Sequence, residues 1–344
     1  MRTRLIVLTC LSALVLVSCS GSDSSSSKAN TSTTAAKAVV VAAKSSPGCK
    51  KTQVVASGEA KITTTSGGQE RWYFRHIPPN AKAPLPVVLD LHGYSEGATV
   101  HVMMSKLGTF GDQHNFVTIT PQGLGAVARW DTNLDSKDVA FIGDLLNEVE
   151  QTLCVDQSRI FVTGLSNGAF MTSAVACKYA DRIAAAAPVA GIRDIAGCKP
   201  SRPVPVIAFH GTGDTFVAYD GGLGSSVANL PAPDGSGKTL GQQGLDAAQP
   251  KGPSIPEITA AWAKRNGCQT TQIVKPVTAD VDLLTFSCPK GAEVELYRVN
   301  GGGHSWPGSA FSQQVSSVVG PTTMSISADE LMWKFFQAHP LPSR

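Results

Sequence analysis

The segment Ile160-Phe161-Val162-Thr163-Gly164-Leu165-Ser166-Asn167-Gly168-Ala169-Phe170 constrains this chain more than any other stretch. A short apolar, β-branched run ends in Gly-x-Ser-x-Gly, and a helix-compatible segment follows at once. Strand, tight turn and helix in that order are the sequence form of a nucleophile elbow. Small residues beside Ser166 let the backbone turn sharply without a Cβ clash. The helix that follows aims its N-terminal N–H groups at negative charge developing beside the serine hydroxyl. Ser166 is therefore the candidate nucleophile.

An acid and a base should follow it in chain order. Val204-Pro205-Val206-Ile207-Ala208-Phe209 reads as a buried strand and ends in the glycine-rich turn His210-Gly211-Thr212-Gly213-Asp214. Val294-Glu295-Leu296-Tyr297-Arg298-Val299 alternates like a strand and ends in Asn300-Gly301-Gly302-Gly303-His304-Ser305-Trp306-Pro307-Gly308. Asp214 and His304 thus lie just past the C-terminal ends of strands, where open α/β sheets carry their sites. Trp306, two residues after the candidate base, is expected to bind substrate by stacking on an aromatic or sugar ring. An earlier strand, Pro86-Val87-Val88-Leu89-Asp90-Leu91, runs into His92-Gly93-Tyr94-Ser95-Glu96-Gly97. The loop after such a strand donates one oxyanion N–H. The expected donors are the N–H groups of Tyr94 and of Asn167, the residue after the nucleophile.

Between these motifs strands and helices alternate, which predicts an α/β chain with a mostly parallel sheet. Val54 to Thr65 and Gln69 to His76 read as an opening hairpin. Phe116 to Thr120 reads as a strand, Val139 to Leu153 as a helix with Phe141, Leu145, Leu146 and Val149 on one face, and Ala184 to Val189 as a short strand. Ser254-Ile255-Pro256-Glu257 and Ser327-Ala328-Asp329-Glu330 have capping-box spacing and predict two further helix starts. Asp220 to Gly252 is crowded with Gly, Pro, Ser and Asp and shows no period. So long a loop is expected either to overhang the site or to be a tolerated insertion.

Arg2 and Arg4 precede the apolar stretch Leu5 to Val17, which is too short for a comfortable membrane span. Leu16-Val17-Ser18-Cys19 looks like a bacterial lipobox. Residues 1–18 are expected to be a signal peptide, Cys19 a lipidation site, and 19–46, rich in Ser, Thr, Ala and Lys, a flexible tether. Residues 47–344 are left as the catalytic domain. The net charge of +3, with no basic run beyond two adjacent residues, gives no reason to expect a nucleic-acid partner. The membrane is expected to be engaged only through the lipid anchor.

Of eight cysteines, Cys10 leaves with the signal and Cys19 carries lipid. An even number remains, which argues for disulfides in an exported chain. The local pairings are Cys177–Cys198 and Cys268–Cys288, leaving Cys49–Cys154. No Cys-x-x-Cys or His-Glu-x-x-His occurs, so neither a metal nor another cofactor is expected.

Taken together, the segments Leu91-His92-Gly93, Thr163 to Gly168, Pro188-Val189-Ala190-Gly191, His210 to Asp214, Ser254 to Glu257 and Gly302 to Gly308 resemble the polyhydroxybutyrate depolymerase and feruloyl esterase group of α/β-hydrolases, in the branch of actinobacterial exported lipoproteins. The resemblance runs from about Gly48 to Gln337. It implies an α/β-hydrolase fold with helices on both faces of the sheet. It also implies a serine esterase with Ser166 as nucleophile, His304 as base and Asp214 as its orienter. The chain departs from the group at Tyr94-Ser95-Glu96, where Cys or Gly is usual. With no appended binding module expected after the last helix, attack on solid polyester is less expected. An envelope acyltransferase using the same triad and a non-catalytic binding lipoprotein are the alternatives.

Overall fold

The computed structural model of this protein describes residues 42–51, 55–245 and 252–342, all within the unit Val41–Arg344. Two antiparallel strands, β1 (Gly58–Ser66) and β2 (Gln69–Ile77), meet at a Gly67-Gly68 turn. β3 (Leu85–Leu91) is buried along its whole length. Continuous burial is what a parallel strand covered on both faces requires. It is followed by helices α1 (Gly97–Ser105) and α2 (Leu107–His114), then β4 (Val117–Pro121) and α3 (Lys137–Thr152). Ser136 caps α3 by accepting the Val139 N–H. β5 (Val155–Leu165) runs into α4 (Asn167–Lys178), and β6 (Ala185–Val189) and β7 (Val206–Gly211) follow. The C-terminal part adds α5 (Ile255–Arg265), β8 (Gln272–Pro276), β9 (Val281–Phe286), β10 (Val294–Val299), two short helices and a last helix, Ala328–Ala338. The short helices are α6 (Ala310–Gln314) and α7 (Ser316–Val319), so the last is α8.

The ten strands form one sheet in the order β1-β2-β4-β3-β5-β6-β7-β10-β9-β8. The central pairs from β4 to β10 are parallel, and the antiparallel pairs β1–β2, β2–β4, β10–β9 and β9–β8 flank them. Side chains alternate across β3, so Val87, Leu89 and Leu91 pack with Phe141, Met171 and Trp262 from α3, α4 and α5. Val88 faces the opposite core, with Met104 of α1 and Trp333 and Phe336 of α8. Phe161 of β5 stacks on Phe336 at 4.5 Å between ring centroids. This is the α/β-hydrolase arrangement, a mostly parallel sheet with helices on both faces.

Several elements escape the sequence pattern. α1 and α2 are short and are separated by Lys106 in a left-handed conformation (φ 51°). β8 is an exposed edge strand without alternation. The strands near Pro86–Leu91, Phe116–Thr120, Ala184–Val189 and Val204–Phe209 and the helix near Val139–Leu153 fall within a few residues of their expected bounds.

Cys49–Cys154, Cys177–Cys198 and Cys268–Cys288 are disulfide-bonded, with sequence separations of 105, 21 and 20 residues. In the chain-entropy account the long loop is stabilised by about 4–5 kcal/mol and the short ones by about 3 kcal/mol each. Three disulfides suit an oxidising compartment outside the cytoplasm. The signal segment and Cys19 lie outside the described residues. The expected tether boundary moves, because residues before 47 are docked. Lys44 N–H donates to Asp156, Ser45 bridges to Asp156, and the Ser46 hydroxyl donates to the Leu153 carbonyl at 2.7 Å. No helix among the described residues is long and apolar enough to cross a membrane.

Candidate active site

Ser166 sits between β5 and α4 with φ 58° and ψ −117°, a sparsely populated conformation for a residue with a side chain. The turn is held by Ser166 N–H to the Val189 carbonyl at 2.9 Å and by Phe170 N–H to the Ser166 carbonyl at 2.9 Å. The glycines at 164 and 168 are demanded by close packing. A Cβ on either would collide with the Leu91 carbonyl at the end of β3. The elbow thus lies directly against the strand that leads into the His92 loop.

Asp214 and His304 are brought together across 90 residues of sequence: His304 Nδ1 lies 2.7 Å from Asp214 Oδ2, with the Asp214 side chain fully buried. Parallel pairing of β7 with β10 puts both on the C-terminal edge of the sheet. The loops after these strands are tied by Thr212 N–H to the Val299 carbonyl and Gly213 N–H to the Gly302 carbonyl. Asp214 Oδ1 accepts the N–H groups of Phe216 and Val217 at 2.8 and 2.9 Å. Burial alone would raise this carboxyl, but the charge and hydrogen bond of His304 outweigh it and hold it below the usual carboxylate range. With Nδ1 engaged, the Asp214 contact fixes the ring so that its other nitrogen, Nε2, is left for chemistry. Among the described residues neither His304 Nε2 nor Ser166 Oγ is hydrogen-bonded.

β5, β6, β7 and β10 are consecutive and parallel, so Ser166, Asp214 and His304 all follow C-terminal strand ends on one sheet edge. Across that edge the N–H groups of Tyr94 and Asn167 are unused in hydrogen bonds among the described residues. The open side of Gly93 faces the elbow, since a Cβ there would stand 3.6 Å from the Ser166 Cβ. The arrangement brings to one sheet edge a serine on a strand-to-helix turn, an imidazole held by a buried carboxylate, and two backbone N–H groups without partners among the described residues.

No family model matches the chain. It is 34% identical over 176 residues to feruloyl esterase B of Piromyces equi, covering 50% of this chain but only 29% of that protein, less than a third of its length. With "Probable feruloyl esterase C" of Aspergillus oryzae it shares 30% identity over 240 residues, covering 67% of this chain and 73% of the relative. The chain belongs to the feruloyl esterase family of α/β-hydrolases, which are serine esterases. An acetyl xylan esterase from Aspergillus awamori, at TM-score 0.52 and 15% identity over 75% of this chain and 98% of that one, shares the fold.

Trp306 does not lie where substrate can stack on it, contrary to expectation. It is 1% exposed, its indole N–H donates to Asp329 at 2.9 Å, and it meets His101 edge-on at 5.7 Å. A ring cannot stack on it without opening this core, so Trp306 anchors the His304 loop from behind. The 220–252 segment, of which residues up to 245 and 252 onward are described, is more ordered than its composition suggests. It carries short 3₁₀ turns at Ser225–Asn229 and Gly241–Gln243 and buries Ala232. Its Pro231 carbonyl accepts the Tyr94 hydroxyl at 2.9 Å, so the segment crosses from the Asp214 turn to the His92 loop.

Sequence reading missed the groups that hold these loops. Trp130 donates its indole N–H to the His92 carbonyl at 2.9 Å, and its backbone is clasped by the Asn167 amide at 2.7 and 3.1 Å. Trp130 therefore links the two candidate oxyanion donors. His210 Nε2 meets the Val217 carbonyl at 2.9 Å and lies 3.3 Å from Asp214 Oδ2. Its burial pushes the imidazole pKa down, which keeps a second positive charge away from the carboxylate. No periodicity or motif marks Trp130; His210 was visible only as part of the turn that carries Asp214.

Proposed function

We propose that the catalytic domain hydrolyses carboxylic esters through an acyl-enzyme, with Ser166 as nucleophile, His304 as general base and Asp214 as the residue that orients it. The observation that carries this reading is the His304 Nδ1 contact with the buried Asp214 at 2.7 Å, beside a serine held at φ 58° on a strand-to-helix turn. His304 Nε2 takes the Ser166 proton as the oxygen attacks the ester carbonyl. Asp214 keeps the proton on Nδ1 and stabilises the imidazolium that forms. The Tyr94 and Asn167 N–H groups receive the oxyanion, each such donor contributing about 2.7–4 kcal/mol in comparable sites. His304 then protonates the departing alcohol, and water repeats the sequence on the acyl-enzyme.

The preferred substrates are short acyl or cinnamoyl-type esters borne on a sugar, in keeping with the feruloyl and acetylxylan esterases among the relatives. Ser166, Tyr94, Phe170 and Phe216 are part-exposed, which suits an open crevice and a bulky alcohol portion. The purified domain is expected to hydrolyse methyl ferulate, acetylated xylan and p-nitrophenyl acetate faster than p-nitrophenyl esters of long chains. A preference for long acyl chains would overturn the substrate assignment. Ester formation with an added sugar alcohol in place of acid release would make it an acyltransferase.

The lipobox Leu16 to Cys19 and the Ser-rich residues after it support a domain anchored by lipid at Cys19 to the outer face of the cell membrane. Cys19→Ala is expected to release active protein from the membrane fraction or leave it unprocessed. Wild-type protein found free in the medium, with an N-terminus beyond Cys19, is the result that sinks this reading.

A further inference from the structure

Beneath the His92 loop lies a buried charge relay that the triad does not use. Asp90, near the end of β3, accepts from His101 of α1 at 2.7 Å and from the Ser105 hydroxyl at 2.6 Å. The other ring nitrogen of His101 lies 3.2 Å from both carboxylate oxygens of Glu96. Glu96 in turn accepts the Gly93 N–H at 2.5 Å. The side chains of His101, Asp90 and Glu96 are 0%, 1% and 10% exposed. Trp306 closes the cluster from the His304 loop.

We propose that Glu96, held by His101, is a positioning residue for the oxyanion loop: by capturing the Gly93 N–H it fixes the Gly93–Tyr94 peptide so that the Tyr94 N–H stays aimed at the reacting oxygen. The inference rests on the esterase reading above. The Gly93 carbonyl is held by His92 Nδ1 at 2.7 Å and by the Glu96 N–H at 3.3 Å. In a planar trans peptide the following N–H points the opposite way. The Gly93 N–H is turned inward to Glu96, so it is not itself available to the oxyanion. The Gly93 N–H and the Gly93 carbonyl are thus both committed, and the Tyr94 N–H is left without a hydrogen-bond partner among the described residues.

The electrostatics agree with this geometry. Burial would lower the His101 pKa, but Asp90 and Glu96 lift it to about 10, so an imidazolium lies between two carboxylates. Burial would likewise raise Glu96, but His101 and the Gly93 N–H hold it below its ordinary value. His92, by contrast, is pushed down to about 4 by burial, and so donates from Nδ1 while its Nε2 accepts the Gly123 N–H. Replacing buried ion pairs by apolar side chains is often neutral or stabilising. Stability alone therefore does not call for three charges here, whereas a rigid acceptor under Gly93 does.

The test uses the purified protein with p-nitrophenyl acetate as substrate and phenylboronic acid as a tetrahedral analogue. Glu96→Ala is expected to lower kcat about 100-fold with KM changed less than about threefold, and to weaken the boronic acid by a similar factor, as loss of an oxyanion donor does. Glu96→Gln keeps a carbonyl acceptor for Gly93 and is expected to regain kcat to within about tenfold of wild type. A merely structural role would not produce this split or this rescue. Folded Glu96→Ala with kcat within about threefold of wild type, or Glu96→Gln as impaired as Glu96→Ala, overturns the proposal. Should Glu96→Ala lose its near-UV circular dichroism, His101→Gln decides. It removes the anchor of Glu96, and an unchanged kcat there overturns the role. Failure of the esterase reading would look different: Ser166→Ala would turn over as fast as wild type. Failure of the positioning role leaves turnover dependent on Ser166 but indifferent to Glu96.

Discussion

Ser166→Ala is expected to lower kcat for ester hydrolysis by about 10⁶-fold with the fold intact, the loss typical of removing a triad nucleophile. The backbone at this position has φ 58° and ψ −117°, and alanine carries the same Cβ into that conformation, so the strain is unchanged. The hydrogen bonds that hold the turn are made by backbone groups of Ser166, Val189 and Phe170, which the substitution leaves in place. Only the attacking oxygen is removed. Circular dichroism should overlay with wild type while p-nitrophenyl acetate turnover vanishes. Residual activity above a few per cent of wild type, in protein free of contaminating esterase, would mean that the attacking group is another one.

Asp214→Asn is expected to cost about 10⁴-fold in kcat, by the logic of a wrong imidazole tautomer. Asp214 Oδ1 already accepts two backbone N–H groups, from Phe216 and Val217. An asparagine keeps its oxygen there and turns its NH₂ toward His304 Nδ1, which must then accept. The ring proton is forced onto Nε2, the atom that should take the serine proton. Asp220 is solvent-exposed. Asp220→Asn is expected to stay within about twofold, in line with ordinary surface substitutions. Equal losses at the two positions would reassign the acid. The sign of the pH effect follows from the direction of the shift. Asp214 is depressed below its ordinary value of 3.8, so its contribution to stability is complete above that value and is lost only as pH falls through the lower folded one.

The three candidate site residues stand out in the chain because each follows a strand, and a strand's end is a local signal. Ser166 is flanked by small residues, and Asp214 and His304 sit in glycine-rich turns after apolar runs. Disulfide pairing was legible for a similar reason: two of the three bridges close loops of 20 and 21 residues. Trp306 was misread because a sequence does not distinguish a tryptophan that faces solvent from one that faces Asp329. Short elements such as α1 and β8 were missed because neither presents a clean apolar period.

By itself, then, the sequence determined the class of sheet, the placing of the candidate residues Ser166, Asp214 and His304 just past strand ends, and the covalent cross-links, all of which depend on local periodicity, turn chemistry and chain order. Only the tertiary structure decided what holds the loop after β3. Gly93, Glu96, His101 and Asp90 are close in sequence, yet their roles depend on burial that removes water from three charges at once. Trp130, in the loop after β4, and Asn167, just after β5, lie 37 residues apart and meet because β4 and β5 flank β3 in the sheet. Hydrogen bonds of this kind carry no repeat and no spacing. They exist because packing leaves a buried polar group with one available partner, and that is fixed only when the whole sheet has formed.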